Sequence, residues 1–197
     1  MTAPARLTRL KLPAVALALL LACLAGLALP SYMNTMTPAG IVIHHTAVTT
    51  LGDGSPLDIE ALDRIHERRG YGAFYWGRTY HIGYHYLILP DGTVQRGRPE
   101  RLRGAHAQGF NDSVGVCLVG NFSSALNPNG ERGLAKPTGA QMRALARLCR
   151  DIQGRYRIPP ERVRLHKDVN PSTECPGDRL SADGLLSELA AAARRPE

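Results

Sequence analysis

From Gly40 onward, apolar and polar positions follow two periods in alternation. Ile41 to Ile43 is a brief β-branched run that ends on His44 and His45, the composition of a buried strand. SPLDIEALDRIHERRG then carries Leu57, Ala61, Leu62 and Ile65 at helical spacing, with Ser55 as N-cap, Pro56 at the first helical position, and Gly70 as terminator. In GYHYLILPDGTVQRGRP two β-rich runs flank Pro90-Asp91-Gly92, which predicts a hairpin. Ser113 to Phe122 reads as a second buried strand. Thr138 opens a helix with a Thr-x-x-Gln capping box and keeps Met142, Leu145, Ala146, Cys149 and Ile152 on one face. A short strand at Val163 to Leu165 delivers the chain to His166, and SADGLLSELAAAARR closes it as an Ala-rich helix. Interleaved helices and strands predict an α/β class: a single domain with a central mixed β-sheet packed by helices.

The N-terminal segment is patterned differently. Arg6, Arg9 and Lys11 precede an uncharged apolar run from Leu12 to Leu29, the composition of an export signal. That run also reaches the lower limit for a spanning helix, roughly 17 residues. Within it, Leu20-Leu21-Ala22-Cys23 is similar to a bacterial lipoprotein processing site. Residues 1–29 are therefore read as a signal peptide, a lipoprotein signal lipidated at Cys23, or a membrane anchor. Residues 30–39 are read as a linker, and 40–195 as the domain. The expected location is the bacterial cell envelope, periplasm or outer surface, with membrane attachment through the N-terminal segment left open.

Charge narrows the partners only a little. The formal charge of +7 falls to +4 once Arg6, Arg9 and Lys11 leave with that segment, a modest excess that suits an anionic partner. With the basic residues dispersed and no groove-reading helix or aromatic platform visible, nucleic acid is not expected. Beyond Cys23 three cysteines remain, so at least one is unpaired. Cys117 lies in a strand and Cys149 on an apolar helix face, as small buried hydrophobes or as a disulfide pair. Cys175 is different, standing between Glu174 and Pro176 in a loop with no apolar period to bury it.

Candidate chemistry collects at element ends. His44 or His45 at one strand end, His166 at another, and Cys175 in the following loop supply two imidazoles and a thiolate. A zinc so held keeps one tetrahedral position open for water, as catalytic sites do. Neighbours on a strand face opposite ways, so His44 and His45 cannot both be ligands of one ion, and periodicity does not choose between them.

Taken in order, IVIHHTAV, GYHYLILPDGTVQRGRP, GAHAQGFNDSVGVCLVGNF and HKDVNPSTECPG resemble the zinc-dependent N-acetylmuramoyl-L-alanine amidases of the peptidoglycan recognition protein type, also called type 2 amidases. The resemblance covers residues 40 to 181. It implies a mixed sheet packed by helices and one zinc per domain, held by His44, His166 and Cys175 at the floor of a groove. It implies Tyr84 as the catalytic tyrosine and Thr173 at a position near the oxyanion, where Thr offers a neutral hydrogen bond rather than a charge. Gly104-Ala105-His106 and Asn111 match the substrate-contact block, so His106 and Asn111 are the implied substrate-binding residues. The interval from His166 to Cys175 is one residue longer than is common in the family, which places the extra residue in the Asn170-Pro171-Ser172 turn.

The implied reaction is zinc-dependent hydrolysis of the amide between N-acetylmuramic acid and L-alanine. Peptidoglycan or muropeptides are the implied partner, and a monomer is expected. Arg96, Arg98, Arg101 and Arg103 could attract stem-peptide carboxylates or form a solvated face. Two alternatives share the scaffold. A non-catalytic peptidoglycan-binding module typically lacks the cysteine ligand, which this chain keeps, and a zinc peptidase acting within the stem would be told apart by its products. His45, His81 and His85 are read as core or hydrogen-bonded histidines, while Asp168 either supports a ligand histidine or caps a turn.

Overall fold

The computed structural model describes residues 12–181, 183–185 and 187. A helix, α1 (Leu12–Met33), precedes strand β1 (Ile41–His45) and helix α2 (Ile59–Glu67). Strands β2 (Ala73–Tyr75), β3 (Arg78–Tyr80), β4 (Tyr86–Ile88), β5 (Val94–Arg96) and β6 (Val114–Leu118) follow. Helix α3 (Gly139–Tyr156), strand β7 (Val163–Leu165) and the one-turn helix α4 (His166–Val169) complete the main elements. Five strands form one mixed sheet in the order β5-β4-β6-β1-β7, while β2 and β3 make a separate hairpin. β1 runs parallel to both β6 and β7, β6 is parallel to β4, and only the edge strand β5 is antiparallel.

Each face of the sheet carries a core. Ile41, Ile43, Val114, Val116 and Leu118 meet Leu145, Cys149 and Ile152 of α3 on one side. On the other, Leu87, Cys117 and Val119 meet Leu57, Ala61 and Leu62. Alternation along β1 therefore sends Ile41, Ile43 and His45 one way and Val42 and His44 the other. The parallel register sets His44 beside Cys117. Both strands that deliver histidines, β1 and β7, end at the same edge, where open parallel sheets bind their ligands.

Most of the elements lie where the pattern of the sequence puts them. The Thr138 capping box is complete, with the Thr138 hydroxyl accepting from Gln141 N and the Gln141 side chain accepting from Thr138 N. Gly92 has φ +90° in the β4–β5 turn, a conformation that suits glycine. The N-cap of α2 is Asp58, accepting from Ala61 N at 2.7 Å, rather than Ser55. Ser55 is held in a preceding turn by Asp53, and that turn delays the helix. The linker expected at 30–39 is different too: residues 30–33 finish α1, and the next segment packs on the domain. Met36 is buried and its amide donates to Arg101 O at 2.7 Å, and Ala39 N reaches Asp112 O at 3.0 Å. The β2–β3 hairpin is unforeseen; its turn is Trp76-Gly77, both with positive φ.

Cys117 and Cys149 are buried free thiols in the two different cores, which removes the disulfide alternative. The side chains of α1 are described for residues 16–26, and among the described residues no helix is long and apolar enough to cross a membrane. The closing helix is seen at 183–185 and 187, with Leu185 buried in the α3-side core; the remainder of that expectation lies outside the described residues.

Leu145 is fully buried in the α3-side core. Leu145→Ala is expected to cost about 2–5 kcal/mol of unfolding free energy. Leu126→Ala, at a half-exposed position, should stay within about 0.5 kcal/mol, and urea denaturation of the two variants checks the contrast.

Candidate active site

Three segments converge at the carboxyl end of the parallel strands. β1 brings His44, the end of β7 brings His166 as the first residue of α4, and the following loop returns Cys175. One donor atom from each lies within 4.8 Å of the others. Cys175 Sγ stands 3.7 Å from His44 Nδ1, and the His44 and His166 rings are 4.4 Å apart. His166 Nδ1 is buried with no hydrogen-bond partner. An orphaned ring nitrogen beside a thiol and a second imidazole is a donor set for a borderline metal such as zinc, so the residues present fit the ion.

The cysteine loop is pinned to the sheet. Lys167 N donates to Cys175 O at 2.7 Å, and Lys167 Nζ to Gly177 O at 3.2 Å. A Cβ at Gly177 would come within 2.3 Å of the Phe122 carbonyl carbon, so only glycine lets the loop lie against that backbone. His45 N donates to Cys175 Sγ at 3.4 Å. Asp168 caps the start of α4, accepting from Leu165 N at 3.0 Å, and so takes the turn-capping role of its two readings.

Electrostatically, the site is a desolvated, uncharged cluster. Burial, then the neighbouring His106, His166 and His45, hold the His44 pKa well below the ordinary imidazole value, and burial lowers that of His166. Burial pushes the Cys175 thiol up to about 11, with the His45 amide opposing. Metal binding there must therefore release the thiol proton. The Tyr84 ring packs 5.1 Å from that of His44. Its phenol hydrogen-bonds Cys117, and burial, then the nearby Cys117 and Cys175, raise its pKa well above the usual range, so it is a neutral hydroxyl at physiological pH.

The remaining predicted residues separate. Thr173 Oγ1 accepts from Cys175 N at 3.2 Å and stays partly exposed. Asn111 Oδ1 accepts from His106 N and Ala107 N at 2.9 and 3.0 Å, which leaves its amide nitrogen to donate. His106 has both ring nitrogens engaged within the protein. His45 faces the opposite side of the sheet, its Nδ1 accepting from Phe122 N at 3.1 Å. His85 lies under the site, accepting from Gly115 N and contacting Leu102 O, both at 2.9 Å. Arg98 is buried and bonded to the carbonyl oxygens of Ile82, Arg103 and Tyr71. Arg96 and Arg101 line a cavity of about 610 Å³ with Glu100 and Arg155, and none of the three donors borders it.

Two supports escaped the sequence reading. Asp63 on α2 accepts from His81 N and Ile82 N at 2.9 and 2.7 Å, and His66 Nδ1 accepts from Gly83 N at 2.9 Å. Together they hold the segment that carries Tyr84. Their signal was a polar residue on the helix face that otherwise buries Ala61 and Leu62.

Comparison with known proteins decides the family. Residues 34–178 match the family described as N-acetylmuramoyl-L-alanine amidase. The chain belongs to this family. The endolysin of Enterobacteria phage K11 is 38% identical over 109 residues, covering 55% of this chain and 67% of the endolysin. Peptidoglycan-recognition protein SC2 of Drosophila melanogaster is 31% identical over 141 residues, 71% of this chain and 68% of that protein. The solved N-acetylmuramoyl-L-alanine amidase LysC from Clostridium intestinale superposes with a TM-score of 0.60 at 35% identity, over 79% of this chain and 87% of LysC. This amidase is accordingly an enzyme of peptidoglycan amide hydrolysis, on the mixed α/β fold of its relatives.

The neutral histidines make the amidase acid-sensitive. Burial holds His85, His45 and His66 at about 4, against about 6.5 in an unfolded chain. Between those values the unfolded chain binds the extra protons, so this contribution to stability is intact above about pH 6.5 and is lost as pH falls toward about 4. The urea midpoint of metal-free protein should therefore be lower near pH 5 than near pH 7.5; equal midpoints would contradict the neutral assignments.

Proposed function

We propose that this amidase is a zinc enzyme in which His44, His166 and Cys175 hold the ion, and that it cuts the bond between the lactyl group of N-acetylmuramic acid and L-alanine. The observations that carry the metal assignment are the buried, partnerless Nδ1 of His166 and the grouping of one donor atom each from His166, His44 and Cys175 within 4.8 Å. Zinc, when bound, supplies Lewis acidity and makes water acidic enough to give hydroxide near neutral pH.

The chain's own residues do the rest. Tyr84, neutral and packed on His44, presents a fixed hydroxyl for orienting the attacking water or donating to the developing oxyanion. Thr173 uses an oxygen lone pair on Cys175 N, so its hydroxyl proton is free to donate to the same oxyanion. Asn111, with its oxygen spent on the backbone, offers its amide N–H groups to the substrate. The N-terminal run supports export to the cell envelope: Leu17, Leu19, Leu20, Leu21 and Leu24 of α1 are exposed apolar residues in an uncharged stretch, with Cys23 exposed among them as the lipidation position. A mutant of Drosophila PGRP-LB has been solved in complex with tracheal cytotoxin, which supports a muropeptide as partner here.

Digestion of purified peptidoglycan by the full chain, with products read by mass spectrometry, tests the reading. Stem peptides beginning at L-alanine are expected with zinc and should vanish with a chelator. Cuts inside the stem would make it a peptidase, and uncut peptidoglycan retaining the zinc-loaded protein would make it a binding module. Tyr84→Phe should keep zinc and lower kcat by roughly 10²–10³-fold, as loss of one oxyanion donor does; unchanged turnover would remove Tyr84 from catalysis.

A further inference from the structure

The β2–β3 hairpin stands outside the five-stranded sheet, and its tip is in solvent: Trp76 is 62% exposed, with only the edge of Tyr75 as a ring neighbour at 6.5 Å. Both tip residues have positive φ, +45° at Trp76 and +85° at Gly77. A turn of this kind favours Asn or Asp before its glycine, and a bulky side chain there strains the backbone. The chain thus accepts local strain to hold a large aromatic ring in water. Neither the strain nor the exposure helps the fold, and backbone outliers of this sort persist where they serve a function.

Two features adjoin the hairpin. The first is α1, which lies against β2 and exposes Leu17, Leu19, Leu20, Leu21 and Leu24 from an uncharged run. The second is the cavity of about 610 Å³, which Tyr75, Arg78 and Tyr80 of the hairpin line together with Arg96, Arg101 and Arg155. Arg155 is paired with Glu100 at 2.5 Å, whereas Arg78, Arg96 and Arg101 are exposed and form no ion pair among the described residues. Arg78 lies instead over the Tyr80 ring, 4.7 Å from its centre. Apolar leucines, an indole at a tip, and arginines among tyrosines match the layers of a lipid surface. Acyl chains take the leucines, the headgroup level takes Trp and Tyr, and lipid phosphates take the arginines.

We propose that the hairpin tip and the arginine cavity form, with α1, a docking surface for an anionic phospholipid bilayer, in which Trp76 enters the interface and Arg78, Arg96 and Arg101 meet phosphate oxygens. An acidic cell-wall polymer could satisfy the arginines, but it offers no acyl region for Trp76 and the leucines, so lipid is the better match. None of the three metal donors borders the cavity, and the proposal does not rest on the metal reading. An amidase docked in this way meets the peptidoglycan nearest the bilayer.

Trp76 is the chain's single tryptophan, so its fluorescence reports on the tip alone. With the full chain and vesicles of equal parts phosphatidylethanolamine and phosphatidylglycerol, its emission should shift to the blue and be quenched by brominated acyl chains. Both effects should weaken at high salt and be nearly lost with pure phosphatidylcholine. In vesicle co-sedimentation, Arg78→Gln should weaken binding by roughly fivefold. Trp76→Asn places at the tip a residue that the turn favours, and should weaken binding by roughly tenfold, as loss of an aromatic side chain from an apolar layer does. Should that variant fail to fold, the wild-type fluorescence decides. Vesicle binding that leaves Trp76 unquenched would assign attachment to α1 alone and overturn the proposal. So would wild-type vesicle affinity in folded Trp76→Asn, or a blue shift on purified peptidoglycan with none on vesicles.

Discussion

The site depends on one constraint: three desolvated donor atoms from distant parts of the chain are held together with too few hydrogen-bond partners among themselves. A buried polar atom without a partner costs roughly 1–3 kcal/mol, and His166 Nδ1 is such an atom. His44 and Cys175 each add a donor atom, and one from each of the three residues lies within 4.8 Å of the others. An ion that accepts all three donors at once recovers this cost. Metal affinity and the integrity of the loop from His166 to Gly177 are therefore coupled.

The scaffold is arranged around that convergence. Parallel pairing of β1 with β6 and β7 sends two histidine-bearing strand ends to one edge. The two cores then divide the labour. The α3 side anchors the sheet with fully buried aliphatic residues, while the α2 side carries polar side chains that reach across to the Tyr84 segment. Around the donors the protein spends backbone amides and carbonyls on histidine nitrogens, at Phe122, Gly83, Gly115, Leu102 and Ser113. Each amide donated to a ring nitrogen, at His45, His66 and His85, requires a bare lone pair there and so holds that imidazole neutral.

Much of this was legible in the sequence where one physical signal dominated. The Thr138 capping box, the Pro90-Asp91-Gly92 turn and the β-branched strands each rest on local chemistry that tertiary context did not override. The choice between His44 and His45 was different, because strand alternation says only that they diverge. The fold separates them, placing His44 with His166 and Cys175 while His45 turns to the other face and accepts from Phe122 N, and that facing is a property of the sheet. The β2–β3 hairpin was hidden by strands of three residues and a Trp-Gly turn that lacks the usual Asn or Asp.

X-ray absorption at the zinc edge on the loaded full chain tests the central claim most directly. The account predicts a single sulfur scatterer at about 2.3 Å with imidazole nitrogens at about 2.0–2.1 Å. A first shell of nitrogen and oxygen alone, with no sulfur, would contradict it.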